Sequence, residues 1–425
     1  METLQEIDVK KFSAEWWDNF LEVTQGQTKT AVFKNCMDKD ETALLRSLVL
    51  DILKELCILR TVKYGFRAYV NGRIINTEEM GQIYDAPPLE GEDVETWSAR
   101  VFGDKKFGMI INLGEKFNLQ LSTIIALKAE HLFERVGFPR DGVNFTLFIG
   151  NYDKTPLGIH KDPTGQNVIH FHLGPGPKTM YTWDKDLYAD LLSQGYKRED
   201  VDSLLPYATE FSFEEGDLYF MPEGEFHIGK QEGLSVAVTF WQYNLTKEKL
   251  AKKMQLVIHR QFLQKNEDIL APDRSSLEST DGIAEILEAF TIPPELSSLS
   301  YMDLMREAYR ELRYSVASNA GYRTSPLVGP EKPLFDLDDR VIREAPFKIR
   351  YRKSEYSGKL HIYVRGVKIE FNDFDGIRSL INKINEGKEH SVSELLSLLD
   401  PSWDKQIGLY ILKMIYGAHG IRKVN

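Results

Sequence analysis

Cysteine is scarce in this sequence and long apolar runs are missing. Only Cys36 and Cys57 occur in 425 residues, and they form no CxxC pair. That excludes a disulfide framework, favours a reducing cytoplasm as the compartment, and makes both thiols plain core residues by expectation. No stretch approaches the roughly 20 apolar residues needed to cross a bilayer. Met1–Asp18 has no apolar run behind basic residues, so neither a membrane span nor a secretory leader is expected. Repeats and low-complexity tracts are missing too. Positive charge is in deficit: 53 lysines and arginines face 64 acids, a formal net charge of −11. This balance speaks against a nucleic-acid partner held by counterion release and suits a basic peptide or protein partner.

What is present is the composition of a globular chain, and its length predicts two or three domains. Residues 1–134 mix helical and extended patterns and are expected to pack, as an α+β part, on the β-rich segment after them. Within them Glu41–Leu59 carries apolar residues at helical spacing, and Phe66–Ile75 reads as a hairpin turning at Asn71-Gly72. Residues 135–245 change texture to short extended runs between turns, interrupted by one helical insertion at Leu187–Gly195. Such punctuation predicts a mostly β sandwich or barrel. Residues 246–325 read as helical for about seventy residues, in three runs (TKEKLAKKMQLVIHRQFLQK, GIAEILEAF and MDLMREAYRELRYSVAS), which must bury an apolar face against something. A helix pair shared between two copies would serve, so a homodimer is expected. Pro326–Pro333 reads as a linker. Residues 340–425 then offer strands at FKIRYR, KLHIYVRG and VKIEFN, helices that include a Ser391/Glu394 capping box, and a closing strand. That order is compatible with a winged-helix-like module, although no Lys/Arg stripe marks a recognition helix.

The chemistry concentrates at Gly158-Ile-His-Lys-Asp162. On a strand, positions i and i+2 share a face, so His160 and Asp162 aim at one point. A third ligand must come from a neighbouring strand, and Glu215–Gly229 supplies His227 after a turn, an apolar strand and a Pro/Gly turn. Two histidines and one carboxylate leave three open positions on an octahedral metal, the facial arrangement of non-haem Fe(II) oxygenases. Lys178, flanked by uncharged residues at a strand start, is a candidate cation for a bound carboxylate.

These residues carry a family resemblance. The segment TPLGIHKDPTGQNVIHFHLGPGPKTMYTWDKD resembles the metal and co-substrate stretch of JmjC/cupin-type oxygenases, and EGDLYFMPEGEFHIG with LSVAVTFWQY resembles the stretch bearing their second histidine. The likeness is to the protein-hydroxylase branch, which includes asparaginyl hydroxylases and ribosomal oxygenases. It implies a double-stranded β-helix (the cupin jelly roll) holding Fe(II) on His160, Asp162 and His227, with 2-oxoglutarate as co-substrate and O2 as oxidant. It also implies that Lys178 binds the distal carboxylate of 2-oxoglutarate and Asn167 lies near its metal-chelating end. In departure from the pattern, the turns before Asn167 and Lys178 are long. A threonine expected next to the first histidine appears only as Thr155, and Thr239 stands where an asparagine is common. The implied reaction is hydroxylation of a side chain in a protein or peptide; a small metabolite, or a non-catalytic cupin acting as an interaction module, are the alternatives.

His170 and His172 share one strand face. With Asn167 inward, strand parity turns Ile169 and Phe171 inward and both histidines outward, to an outer-face or interface role; with the parity reversed they would compete for the metal. Tyr152, Tyr181, Trp183, Tyr219 and Trp241 are candidates for lining a groove or pocket. His131, His259, His361, His390 and His419 have no partner spacing.

Overall fold

The structure is a computed structural model and describes residues 9–155, 157–327 and 335–424. Cap residues account for where its N-terminal helices begin. Helices α1 (Ala14–Val23), α2 (Lys39–Leu59), α3 (Thr77–Tyr84), α4 (Val94–Phe102) and α5 (Leu119–Val136) start behind Ser13, Asp38, Asn76, Asp93 and Asn118. Each cap side chain accepts a hydrogen bond from a first-turn N–H that would otherwise lack a partner. Along α2, Leu45, Leu48, Val49, Ile52, Leu53 and Leu56 are all buried at three- and four-residue spacing.

Twelve strands build the central part: β1 (Ala31–Phe33), β2 (Arg67–Val70), β3 (Arg73–Ile74), β4 (Phe107–Ile111), β5 (Val143–Gly150), β6 (His160–Lys161), β7 (Gln166–Pro175), β8 (Lys178–Trp183), β9 (Thr209–Phe213), β10 (Leu218–Met221), β11 (Phe226–Gln231) and β12 (Ser235–Tyr243). They form an eight-stranded sheet, ordered β1-β10-β7-β12-β5-β4-β2-β3, and a four-stranded sheet, ordered β6-β11-β8-β9. All their ladders are antiparallel. The β2–β3 hairpin turns at Asn71-Gly72, where both φ angles are positive (50° and 76°), as a two-residue turn of this twist requires. The helical insertion is α6 (Lys185–Ser193), followed by a single turn, α7 (Val201–Leu204).

The large sheet has two different faces. Its outer face, with Ile169 and Phe171 of β7, Leu218 and Phe220 of β10, and Val238 and Phe240 of β12, joins Trp17, Phe20 and the apolar faces of α2 and α5 in one large core. Its inner face turns to the small sheet, where Val168, Tyr219 and Met221 meet Phe213 and Met180. The parity expected for β7 is therefore reversed. Ile169 and Phe171 are needed against the helices, so Val168, His170 and His172 point between the sheets. Asn167 shares the parity of Ile169; its Oδ1 accepts from the Glu223 amide at 3.0 Å, outside the cavity. Cys36 and Cys57 are buried free thiols, pushed by burial up to about 12 and about 11, so neither is a ready nucleophile.

The three expected helical runs are found, the middle one cut short. Helix α8 (Lys247–Phe262) and helix α11 (Tyr301–Ser318) pack together, but between them only α9 (Ile283–Leu287) and α10 (Pro294–Ser297) are helical. Pro294 and the Asp/Ser-rich stretch before Gly282 interrupt the pattern. Helix α8 is tied to the central sheets by Lys253, which pairs with buried Asp141, itself 2.6 Å from Arg323. The linker expected at Pro326–Pro333 lies outside the described residues from position 328 on.

The C-terminal part contains two three-stranded sheets: β13 (Arg340–Arg343) between β17 (His390–Ser391) and β18 (Ile421–Val424), and β14 (Arg350–Lys353), β15 (Lys359–Val364) and β16 (Val367–Asn372). With α12 (Asp375–Asn385), α13 (Val392–Leu396) and α14 (Lys405–Gly417) they enclose their own apolar core. The Ser391/Glu394 capping box is half made. Ser391 Oγ accepts from the Glu394 amide, while the Glu394 carboxylate turns to His390 and Lys383. The tip of the β15–β16 hairpin, Arg365-Gly366, reaches back to the rest of the chain. The buried Arg365 guanidinium donates to Asn319 Oδ1 (3.0 Å) and Ser122 Oγ (3.3 Å) and lies 3.3 Å from the Phe347 ring centre. Burial lowers it to about 10.

Candidate metal centre

The small sheet brings the three candidate ligands together by register. β6 and β11 pair antiparallel with His160 directly opposite His227, so the imidazoles share a face and their ring centres stand 4.3 Å apart. Asp162, two residues beyond His160, points the same way. One ligand atom from each of the three side chains lies within 4.8 Å of the other two.

Backbone carbonyls orient both rings. His160 Nδ1 is 2.8 Å from Gly158 O, and His227 Nδ1 is 3.2 Å from Glu225 O. A carbonyl only accepts, so each Nδ1 carries the proton and each Nε2 presents a lone pair toward Asp162, the orientation a metal-binding histidine needs. Burial lowers His227 to about 4 and lowers His160, while burial raises the Asp162 carboxyl to about 6. The 3.8 Å approach of His227 Nε2 to Asp162 Oδ2 is consequently no ion pair, because the imidazole is neutral. Asp162 Oδ2 is buried and has no hydrogen-bond partner. A divalent cation would supply the missing partner to all three groups, and two imidazoles with one carboxylate suit Fe(II).

The triad opens into a cavity of about 730 Å³ between the two sheets. Lys178 lies inside it. The β8–β11 register pairs Lys178 with Gln231 and Thr182 with His227, which puts the lysine on the triad's face of the sheet, further along the strand. Its ammonium is buried, faces the rings of Phe148 (5.7 Å) and Tyr152 (6.0 Å), and has no carboxylate in ion-pair reach among the described residues. A buried cation without a counter-ion is expensive, and an anionic ligand would resolve it. Gly229, opposite Met180, makes room for this side chain. A Cβ at position 229 would stand 3.0 Å from Met180 Sδ, 3.0 Å from Thr155 Oγ1 and 3.1 Å from Lys178 Cε.

The other expected site residues separate. Thr155 lines the cavity, but its hydroxyl is held by Gly229, donating to the carbonyl (3.1 Å) and accepting from the amide (3.2 Å). Thr239 also lines it, with its hydroxyl 2.9 Å from His170 Nδ1. Asn167 does not line it. Of the aromatic candidates, Tyr152, Tyr219 and Trp241 line the cavity, while Trp183 and Tyr181 pack in a small core with Ile159, Tyr188 and Leu191. Tyr219 Oη and Trp241 Nε1 are buried without partners, like Asp162 Oδ2, so the interior is built for a polar occupant. Sequence reasoning turned His170 outward, whereas it lines the cavity, and missed Gly229. The missing signal was the outer helices' demand for the apolar face of β7.

No protein-family model matches the chain, and no curated protein matches it. Solved structures do match. An X-ray structure of E. coli ycfD is 15% identical with a TM-score of 0.51, the match covering 96% of this chain and 98% of that one. Structures of YcfD, described as a ribosomal oxygenase from Escherichia coli, in complex with cobalt and 2-oxoglutarate and with cobalt and succinic acid, are 14% identical with TM-scores of 0.50 and the same coverage. At these identities the likeness is one of fold: over nearly its whole length this chain shares the mixed helix and antiparallel-sheet architecture of YcfD.

Proposed function

We propose that this chain is an Fe(II)- and 2-oxoglutarate-dependent oxygenase that hydroxylates a side chain of a protein or peptide. The carrying observation is the convergence of His160, Asp162 and His227 at one end of a cavity whose interior also holds the unpaired Lys178. The fold shared with YcfD, which has been solved with cobalt and 2-oxoglutarate, supports the same assignment. In it residues 135–245, which supply eight of the twelve strands of the facing sheets, are the JmjC/cupin core, the N-terminal part packs on it and lends β1–β4 to the large sheet, and the C-terminal part is the winged-helix-like module. Residues 246–325 serve dimerisation, which is supported by the exposed side chains of Leu256, Ile269, Leu277, Ile283 and Met302.

When bound, Fe(II) supplies the coupling of O2 reduction to 2-oxoglutarate decarboxylation, so that 2-oxoglutarate, O2 and R–H yield succinate, CO2 and R–OH. The chain's own part is positional. His160 and His227 present Nε2, Asp162 neutralises charge, and Lys178 meets the distal carboxylate. Phe148, Tyr152 and Met180 wall that end of the cavity against water.

One observation favours the second reading, a small or acidic substrate. Lys63, Arg67, Lys178 and Arg323 line the cavity, and Asp162 is the one acid among its described lining residues. In a chain with more acids than bases this points to an anionic occupant, opposite to the basic partner suggested by net charge.

The test is succinate release on admitting O2 to anaerobic protein loaded with Fe(II) and 2-oxoglutarate, beside His160→Ala and His227→Ala. Turnover in the parent, lost in both variants, is expected, and acidic and basic peptides are then compared as stimulants. Calorimetry showing that neither Fe(II) nor 2-oxoglutarate binds would overturn the assignment.

A further inference from the structure

The least expected polar group in the cavity is His170. It lies on β7 directly opposite Thr239 of β12, in the inner layer, and is almost wholly buried. Its ring is wedged against Phe213 (centres 5.4 Å apart, planes at 62°) and stacked beside His172 (5.9 Å, 17°), so it has little freedom to turn. One nitrogen is engaged, Nδ1 with Thr239 Oγ1 at 2.9 Å. The other, Nε2, is buried and has no hydrogen-bond partner among the described residues. His172 is likewise half-satisfied, its Nε2 2.8 Å from Gly176 O and its Nδ1 without a partner among the described residues, but it does not line the cavity.

The 2.9 Å contact fits either direction, hydroxyl to Nδ1 or Nδ1–H to hydroxyl, and we take the first. His170 is the one described partner of the Thr239 hydroxyl, and a hydroxyl that donates to Nδ1 leaves the imidazole proton on Nε2. The unpartnered atom is then an N–H donor in a cavity that already holds the unpaired ammonium of Lys178. Burial and the nearby lysine charge both keep the ring neutral. A neutral donor next to a cation suits a carboxylate, because it adds a hydrogen bond without placing a second full charge beside the first.

We propose that His170, oriented by Thr239, is a co-substrate-holding residue whose Nε2–H donates to a carboxylate oxygen of 2-oxoglutarate alongside Lys178. This rests on the co-substrate reading above. It gives to His170 the polar role in the pocket expected of Asn167, and it makes Thr239 a positioning residue that acts through the imidazole.

The experiment is anaerobic calorimetry on Fe(II)-loaded protein, titrating 2-oxoglutarate and, separately, succinate. It is paired with the Fe(II) affinity and with the charge-transfer absorption that accompanies keto-acid chelation. His170→Leu is expected to weaken 2-oxoglutarate binding about tenfold or more and leave Fe(II) affinity unchanged, as for loss of one charge-assisted donor. His170→Gln, which keeps an N–H donor, is expected to recover most of the loss, and Thr239→Val to fall between. Equal weakening of succinate and 2-oxoglutarate puts His170 at the distal carboxylate, and weakening of 2-oxoglutarate alone puts it at the keto-acid end; either outcome supports the proposal. His170→Leu binding 2-oxoglutarate as tightly as the parent overturns it. A parent protein that binds Fe(II) but no 2-oxoglutarate overturns the co-substrate reading instead, and this proposal with it.

Discussion

Adding a single methyl group at Gly229 tests the geometry of the proposed co-substrate pocket without replacing any candidate ligand. The new Cβ of Gly229→Ala would stand 3.0 Å from Thr155 Oγ1 and Met180 Sδ and 3.1 Å from Lys178 Cε. Met180 has a flexible end and can yield. Thr155 cannot, because its hydroxyl is bonded to the carbonyl and amide of Gly229 itself. The remaining strain falls on Lys178, which has the rings of Phe148 and Tyr152 on its other side. A shift of a few tenths of an ångström lengthens its contact with a bound carboxylate. A charge-assisted hydrogen bond contributes about 1.5–3 kcal/mol, and losing about half of that weakens binding about 3- to 10-fold. Lys178→Met loses the whole contact and should weaken binding about 10- to 100-fold. Folding should change little, since position 229 is ordinary strand: about 0.4–1 kcal/mol gained from the stiffer unfolded chain opposes mild overpacking of about 1–3 kcal/mol. Calorimetric titration of 2-oxoglutarate into Fe(II)-loaded, oxygen-free protein reads the effect, with Fe(II) affinity and the melting temperature as controls. Parent-like 2-oxoglutarate affinity in Gly229→Ala would refute the reasoning, because the lysine would then not need the space the glycine leaves.

Two further outcomes concern stability. Burial holds His172 at about 4 in the folded chain against 6.5 in the unfolded one. The unfolded state therefore binds more protons between these values. The contribution is full above pH 6.5 and declines as pH falls toward 4, by about 3 kcal/mol in all. Denaturant unfolding of metal-free protein across this range should show the slope, and His172→Gln should reduce it; identical slopes in the two proteins would count against the assignment. Arg365→Ala leaves Asn319 Oδ1 buried without its donor and opens space over Phe347, so it should cost about 3–5 kcal/mol. A denaturant midpoint equivalent to less than about 1 kcal/mol of loss would refute that account.

The geometry of the triad was legible in the sequence because it depends on one short-range rule. Positions 160 and 162 share a strand face whatever the rest of the chain does, and His227 needed only a neighbouring strand to stand opposite. The hairpin at Asn71-Gly72 and helix α2 were legible for the same reason, their signals being local. The side chains of β7 were not. Reading Ile169 and Phe171 as inward followed by strand parity from placing Asn167 inward on the resemblance. Here the greater apolar demand lies outside, where α2 and α5 cover the sheet, and the interior is kept polar for its occupant. Placing Asn167 inward also turned His170 outward. Gly229 was hidden for a different reason: its importance lies in a cross-strand register that only the assembled sheet defines. The helical runs flanking residues 263–300 were legible too; apolar spacing overread only the length of the run at Gly282–Phe290, of which Ile283–Leu287 is helical.

The Arg365 hairpin has a consequence for anyone who would trim this chain. Modules joined by flexible tethers can be cut apart and studied singly. Here the C-terminal part sends a charged plug into a polar socket made by Asn319 and Ser122, and those two residues belong to the part that would be kept. Cutting before Arg340 would leave the socket open, with two hydrogen-bonding groups stripped of their donor and the Phe347 face lost with the cut piece. The last eighty-odd residues are thus a keystone for the part that carries the candidate triad, and a fragment ending at the last helix before them would be a damaged protein, not a minimal one.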